Sequence, residues 1–102
     1  MKIITICGSM KFQNEMMIEA EKLALDGNCI FTPIYQVTPN LEITKAQLKL
    51  LKEEHLKKIE LSDSIYVINK DNYIGKSTKL EIEYAKSLNK EIVYYINLLD
   101  KN

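Results

Sequence analysis

The feature that most constrains this chain is the character of its strand-like segments. Residues 2–7, 63–69 and 91–97 hold Ile3-Ile4-Thr5-Ile6-Cys7, Ile65-Tyr66-Val67-Ile68 and Ile92-Val93-Tyr94-Tyr95. These are nearly continuous apolar runs rather than alternating ones. A strand that is apolar on both faces is covered on both faces, which is the condition of a parallel sheet. Helix-like segments separate the runs. Strand and helix alternating in this way predict an α/β fold. The expected form is a three-layer sandwich around a parallel four- or five-stranded sheet, flavodoxin-like or Rossmann-like.

The segments between the runs have readable limits. Phe12, Met16, Ala20, Leu23 and Ala24 recur at helical spacing, so a helix is expected over 10–26. Gly27 suits the left-handed position after its end. Residues 28–32 read as a further strand, and Pro33 and Pro39 bracket a loop containing Tyr35. Thr44-Lys45-Ala46-Gln47 has capping-box spacing and opens a helix reaching about Leu61. A third helix is expected over 78–89, after a loop over 70–76. One domain over 1–102 follows, with a core small enough to gain from an oligomer interface.

Composition removes several classes of partner. Lys and Arg total 14 and Asp and Glu total 14, giving zero formal net charge, and no block of one sign occurs. Nothing therefore favours a nucleic acid polymer or a membrane surface. No apolar run is long enough to span a bilayer, and the start lacks a leader-like pattern. Cys7 and Cys29 fall in expected strands with no CxxC pair, which suits buried reduced thiols and a cytoplasmic setting. With one histidine and no Cys/His cluster in the sequence, neither a metal site nor a cofactor is expected.

Ligands of open α/β sheets bind at the carboxyl edge of the strands. Gly8-Ser9, Tyr35 and the 70–77 loop fall on that edge. Backbone amides of Gly8-Ser9-Met10-Lys11 can cradle an anion at a helix N-terminus, with the Ser9 hydroxyl and the Lys11 charge added. The alternative is a plain serine N-cap after a tight turn. Gly75-Lys76-Ser77-Thr78 offers a second cradle. Tyr35 and Tyr73 are the stacking candidates, whereas Tyr66, Tyr94 and Tyr95 read as core or interface.

Two residues break the apolar pattern. Projection of the third helix puts Leu80, Tyr84, Ala85 and Leu88 on the sheet-facing stripe, with Glu81 inside it. A poorly solvated carboxylate there suits nucleophilic or general-base work. Thr78-Lys79-Leu80-Glu81 also spells a capping box, which would make Glu81 structural. His55 projects among Leu48, Leu51 and Ile59 on the second helix, as a core residue or a site residue. Asp63 lies at the amino end of its strand, away from the ligand edge, where a turn or cap is its expected role. Leu50, Leu61 and Ile82 project away from the main stripes, as surfaces for self-association.

"CGSMKF", "HLKKIELSDSIYVI" and "YIGKSTKLEIEYA" together resemble the nucleoside 2-deoxyribosyltransferase-like superfamily, which includes deoxynucleoside 5′-monophosphate N-hydrolases. The resemblance covers nearly the whole chain. It implies that Glu81 attacks the anomeric carbon of a nucleotide or nucleoside. It implies that Gly8, Ser9, Met10 and Lys11 hold the 5′-phosphate and sugar, with Gly75, Ser77 and Thr78 as the second such loop. His55 and Gly75 depart from the usual aspartate, and aspartate or serine, of those positions. The resemblance further implies a homodimer. The expected function is hydrolysis of an N-glycosidic bond, with His55 holding a sugar hydroxyl or assisting proton transfer. A deoxyribosyltransferase and a non-catalytic nucleotide sensor stand as the alternatives.

Overall fold

A computed structural model describes residues 1–99. Four strands, β1 (Ile3–Gly8), β2 (Cys29–Phe31), β3 (Ser64–Ile68) and β4 (Glu91–Tyr94), form one sheet in the order β2-β1-β3-β4. Every pairing is parallel, with Ile4 opposite Ser64, Gly8 opposite Ile68 and Val67 opposite Tyr94. Helices α1 (Gln13–Leu25), α2 (Lys45–Leu61) and α3 (Lys76–Ser87) make the crossovers, and α4 (Tyr95–Leu99) follows β4. The expected α/β class and parallel sheet are therefore present, with four strands among the described residues.

The apolar runs have the cause inferred for them. Ile4, Ile6, Tyr66 and Ile68 pack on one face with Phe12 and Met16 of the α1 side. Cys7, Ile65 and Val67 pack on the other with Ile59 of α2 and Ile82 and Ala85 of α3. Ile6, Met16, Ile59, Ile65 and Val67 are wholly buried. Each such side chain contributes about 1.5–3 kcal/mol relative to exposure. Among the described residues, no helix is long and apolar enough to cross a membrane.

Local signals set several boundaries. Thr44 accepts from the Gln47 amide while the Gln47 side chain accepts from the Thr44 amide, completing the capping box of α2. Gly27 has φ 96°, the left-handed conformation its position called for. Asp63 Oδ2 accepts from the Ile3 amide at 2.8 Å, tying β3 to β1 at the amino edge.

The structure corrects four expectations. The first helical segment divides into a 3-10 turn, Met10–Phe12, and then α1, with Ser9 Oγ accepting from the Lys11 amide at 3.3 Å. Helix α3 begins at Lys76, two residues early, with Gly75 as its N-cap. Thr78 then lies buried within the helix, and no Thr78–Glu81 capping box forms. The buried stripe of α3 is Thr78, Ile82 and Ala85, so Ile82 is core while Leu80 is 64% exposed. The fourth strand ends at Tyr94 rather than Asn97, because the chain turns into α4. Asn69 Oδ1 accepts the Ile96 amide at 3.1 Å there, from the end of β3.

Candidate active site

The chain leaves β1 toward β2 on one side and reaches β3 on the other. The carboxyl ends of these two neighbours therefore flank the crevice where a doubly wound sheet takes its ligand. Gly8 sits at that point. A Cβ there would stand 3.2 Å from the Ile68 carbonyl oxygen and 3.3 Å from Met16 Sδ, so any side chain would have to push these neighbours back by a few tenths of an ångström.

Above the crevice lies a pocket of ≈ 540 Å³. Gly8, Ser9, Met10 and Gln13 line one side, and Tyr73, Gly75, Lys76, Ser77 and Thr78 another. The early turns of α2 overhang it through Leu48, Leu51 and Lys52. This is why Leu48 is half exposed although it shares a face with buried His55 and Ile59. Pro33 and Ile34 close the side beyond β2.

Glu81 and His55 both reach this pocket. Glu81 is the sixth residue of α3, in its second turn rather than its first. Its Oε1 lies 3.5 Å from His55 Nε2. The same nitrogen is 3.4 Å from Cys7 Sγ. Donor atoms of Cys7, His55 and Glu81 all fall within 4.8 Å of one another. Burial first, and then the neighbouring Glu81 carboxylate, push the Cys7 thiol well above its ordinary value. It is held as a neutral thiol beside the carboxylate. His55 Nδ1 is buried with no hydrogen-bond partner among the described residues, so the polar face of the imidazole is its Nε2 side.

Most residues singled out in the sequence meet here: Gly8, Ser9, Met10, His55, Gly75, Ser77, Thr78 and Glu81 share one wall or another. Lys11 and Tyr35 do not. The Lys11 ammonium lies 3.4 Å from the centroid of the Tyr73 ring, which meets Phe12 edge-on at 6.0 Å. Tyr35 lines an adjoining groove with Val37, Leu41 and Leu50. Lys76 stands in the pocket instead, a residue of the quoted second loop that had not been singled out.

Cys7 was also missed as a neighbour of the site. The sequence contains no Cys/His cluster, but the fold builds one from β1, α2 and α3. The available signal was parity: Cys7 precedes Gly8 and faces the α2–α3 side, opposite to Ile6.

The fold is that of the nucleoside 2-deoxyribosyltransferases. The chain superposes on a 2-deoxyribosyltransferase from the psychrotolerant bacterium Bacillus psychrosaccharolyticus with TM-score 0.69 and 21% identity, over 90% of this chain and 70% of that one. It superposes on a 2-deoxyribosyltransferase from Leishmania mexicana with TM-score 0.68 and 16% identity, over 93% of this chain and 64% of that one. The chain thus spans roughly two thirds of each of these proteins. No protein-family model and no curated protein matches its sequence.

Proposed function

We propose that this protein is an enzyme of glycosidic chemistry that cleaves the N-glycosidic bond of a nucleoside 5′-monophosphate or a related small nucleotide. The observation that carries this is the position of Glu81. Its carboxylate sits in a pocket at the sheet's carboxyl edge, against His55 and between two glycine-containing turns. It is free of the capping duty that would have given it a structural role.

Glu81 attacks C1′ as the C1′–N bond breaks, and the bonding pair leaves with the base, which takes up a proton. A glycosyl ester on Glu81 results. Water then attacks C1′, loses a proton and restores the carboxylate, releasing the sugar phosphate. His55 Nε2, beside the carboxylate, holds a sugar hydroxyl or relays the proton. Ser9, Lys76, Ser77 and the first amides of α3 bind the phosphate.

Base transfer is the second reading, favoured by the likeness of the fold to two 2-deoxyribosyltransferases. In it, an acceptor base replaces water on the same glycosyl ester.

The test is chromatographic release of free base from a panel of nucleotides and nucleosides, with and without an acceptor base. Hydrolysis gives free base in water alone, while transfer requires the acceptor. Glu81→Gln should lower the rate about a hundredfold or more with little change in Tm. Tight binding of a nucleotide without turnover by the wild type would mark a sensor instead. A fully active Glu81→Gln would remove the nucleophile assignment.

A further inference from the structure

We propose that the reduced protein binds one zinc-like divalent ion through Cys7 Sγ, His55 Nε2 and Glu81 Oε1, and that this ion holds the pocket inactive. Zinc bonds of about 2.0–2.3 Å at tetrahedral angles set neighbouring ligand atoms about 3.4–3.6 Å apart. The two separations at His55 Nε2, 3.4 Å to Cys7 and 3.5 Å to Glu81, have that length. The third edge, Cys7 to Glu81, closes within the 4.8 Å limit of the cluster.

The donor types agree with the geometry. A thiolate, an imidazole and a carboxylate form a mixed S, N and O set that zinc accepts and hard cations such as magnesium do not. On binding, the Cys7 thiol gives its proton to solvent as the S–metal bond forms. Thiolate and carboxylate then cancel the two charges of the ion, leaving a neutral assembly in a buried place. With Nε2 on the ion, the imidazole proton resides on Nδ1, which is buried with no hydrogen-bond partner among the described residues. His55 and Glu81 line the pocket, so the fourth position is open to water from it.

Loss of activity follows from occupancy. The ion takes the Glu81 oxygen lone pair that would attack C1′. This consequence rests on the glycosidic reading above; the binding itself does not.

The test is titration of the reduced, chelator-treated full chain with cobalt(II) as the spectroscopic probe. The expected result is saturation at one ion per chain. A thiolate-to-cobalt charge-transfer band and the intense visible bands of tetrahedral cobalt should appear together, and zinc should displace both. Cys29→Ser should retain the charge-transfer band, whereas Cys7→Ser should lose it. Should Cys7→Ser fold poorly, His55→Asn should weaken cobalt binding at least tenfold. No band, a band retained in Cys7→Ser, or only weak octahedral bands would overturn the site. Base release should fall in proportion to bound zinc and return with chelator. Binding with undiminished base release would overturn the inhibitory role. A metal-free protein that never releases base would count against the glycosidic reading and leave the cobalt result standing.

Discussion

The ammonium of Lys11 rests 3.4 Å from the centroid of the Tyr73 ring, with Phe12 flanking it at 5.3 Å. A cation so placed is engaged by the ring faces. It ties the turn after β1 to the turn after β3 and leaves Lys76 as the lysine within the second loop of the pocket.

Lys76 should therefore carry more of the phosphate interaction than Lys11. A charge-assisted contact is worth about 1.5–3 kcal/mol, or about tenfold or more in affinity. Lys76→Ala should lower kcat/KM for a 5′-monophosphate by that factor and spare the matched nucleoside. Lys11→Ala should act more weakly on the same ratio and lower Tm slightly by releasing Tyr73. Equal effects of both variants on the ratio would contradict this division.

Gly8→Ala tests the close approach at the switch point. The added methyl meets a backbone oxygen at 3.2 Å as well as Met16 Sδ, so relief requires β1 and β3 to shift. Overpacking of this kind costs about 1–3 kcal/mol. Denaturant unfolding should read that loss, accompanied by reduced nucleotide binding. A variant as stable as wild type would mean that the strand ends yield easily.

Tyr66 supplies a pH prediction remote from the pocket. Its hydroxyl donates to Glu19 Oε1 at 2.9 Å. Burial first, and then this bond and the nearby Glu19 carboxylate, raise the Tyr66 hydroxyl above its ordinary value of 10.0. Tyr66→Phe should cost about 1–2 kcal/mol near neutral pH. Above about pH 10 the unfolded tyrosine loses its proton while the folded one keeps it, so folding is progressively penalised. The wild-type advantage should thus shrink as pH rises beyond that point. Urea midpoints of both proteins from pH 7 to about pH 11 check this; a constant gap would contradict it.

Self-association is the remaining expectation. Leu50 is 62% exposed and borders the groove with Val37 and Leu41, which are also exposed. Leu61 is exposed as well, whereas Ile82 has proved to be core. The protein should sediment as a dimer at micromolar concentration, and Leu50→Glu should shift it toward monomer. A wild type that sediments only as monomer would end this expectation.

What the sequence disclosed was what local periodicity and caps can carry. The parallel sheet followed from apolar runs, and the α2 boundary from Thr44 and Gln47. The projections of His55 and Glu81 followed from helical spacing. The start of α3 was hidden because Gly75 caps it with no side chain, while Thr78 offered a false start with the right chemistry. The end of β4 was hidden because Asn69, just beyond β3, takes the Ile96 amide. The sequence points to Lys11 rather than Lys76 as the phosphate lysine. Their division depends on Tyr73, which follows Asp71 and Asn72, both at positive φ. Parity sets Cys7 opposite to Ile6, but which helices cover that face was hidden, because both faces of β1 are apolar.

The order β2-β1-β3-β4 has a bearing on how the chain becomes active. Ile4 pairs with Ser64 and Gly8 with Ile68, so the two strands under the pocket meet only after some sixty residues have been looped between them. Such non-local pairing is slow to nucleate, because a long loop must close before the contacts that hold it exist. Cys7, His55 and Glu81 come from the first strand, the second helix and the third helix, so neither half of the chain holds all three. During synthesis, competence should therefore arrive late and all at once, after α3 has emerged and docked. Recovery of nucleotide binding after dilution from denaturant would then time the closing of β1 onto β3, making the pocket a clock for the folding of the whole sheet.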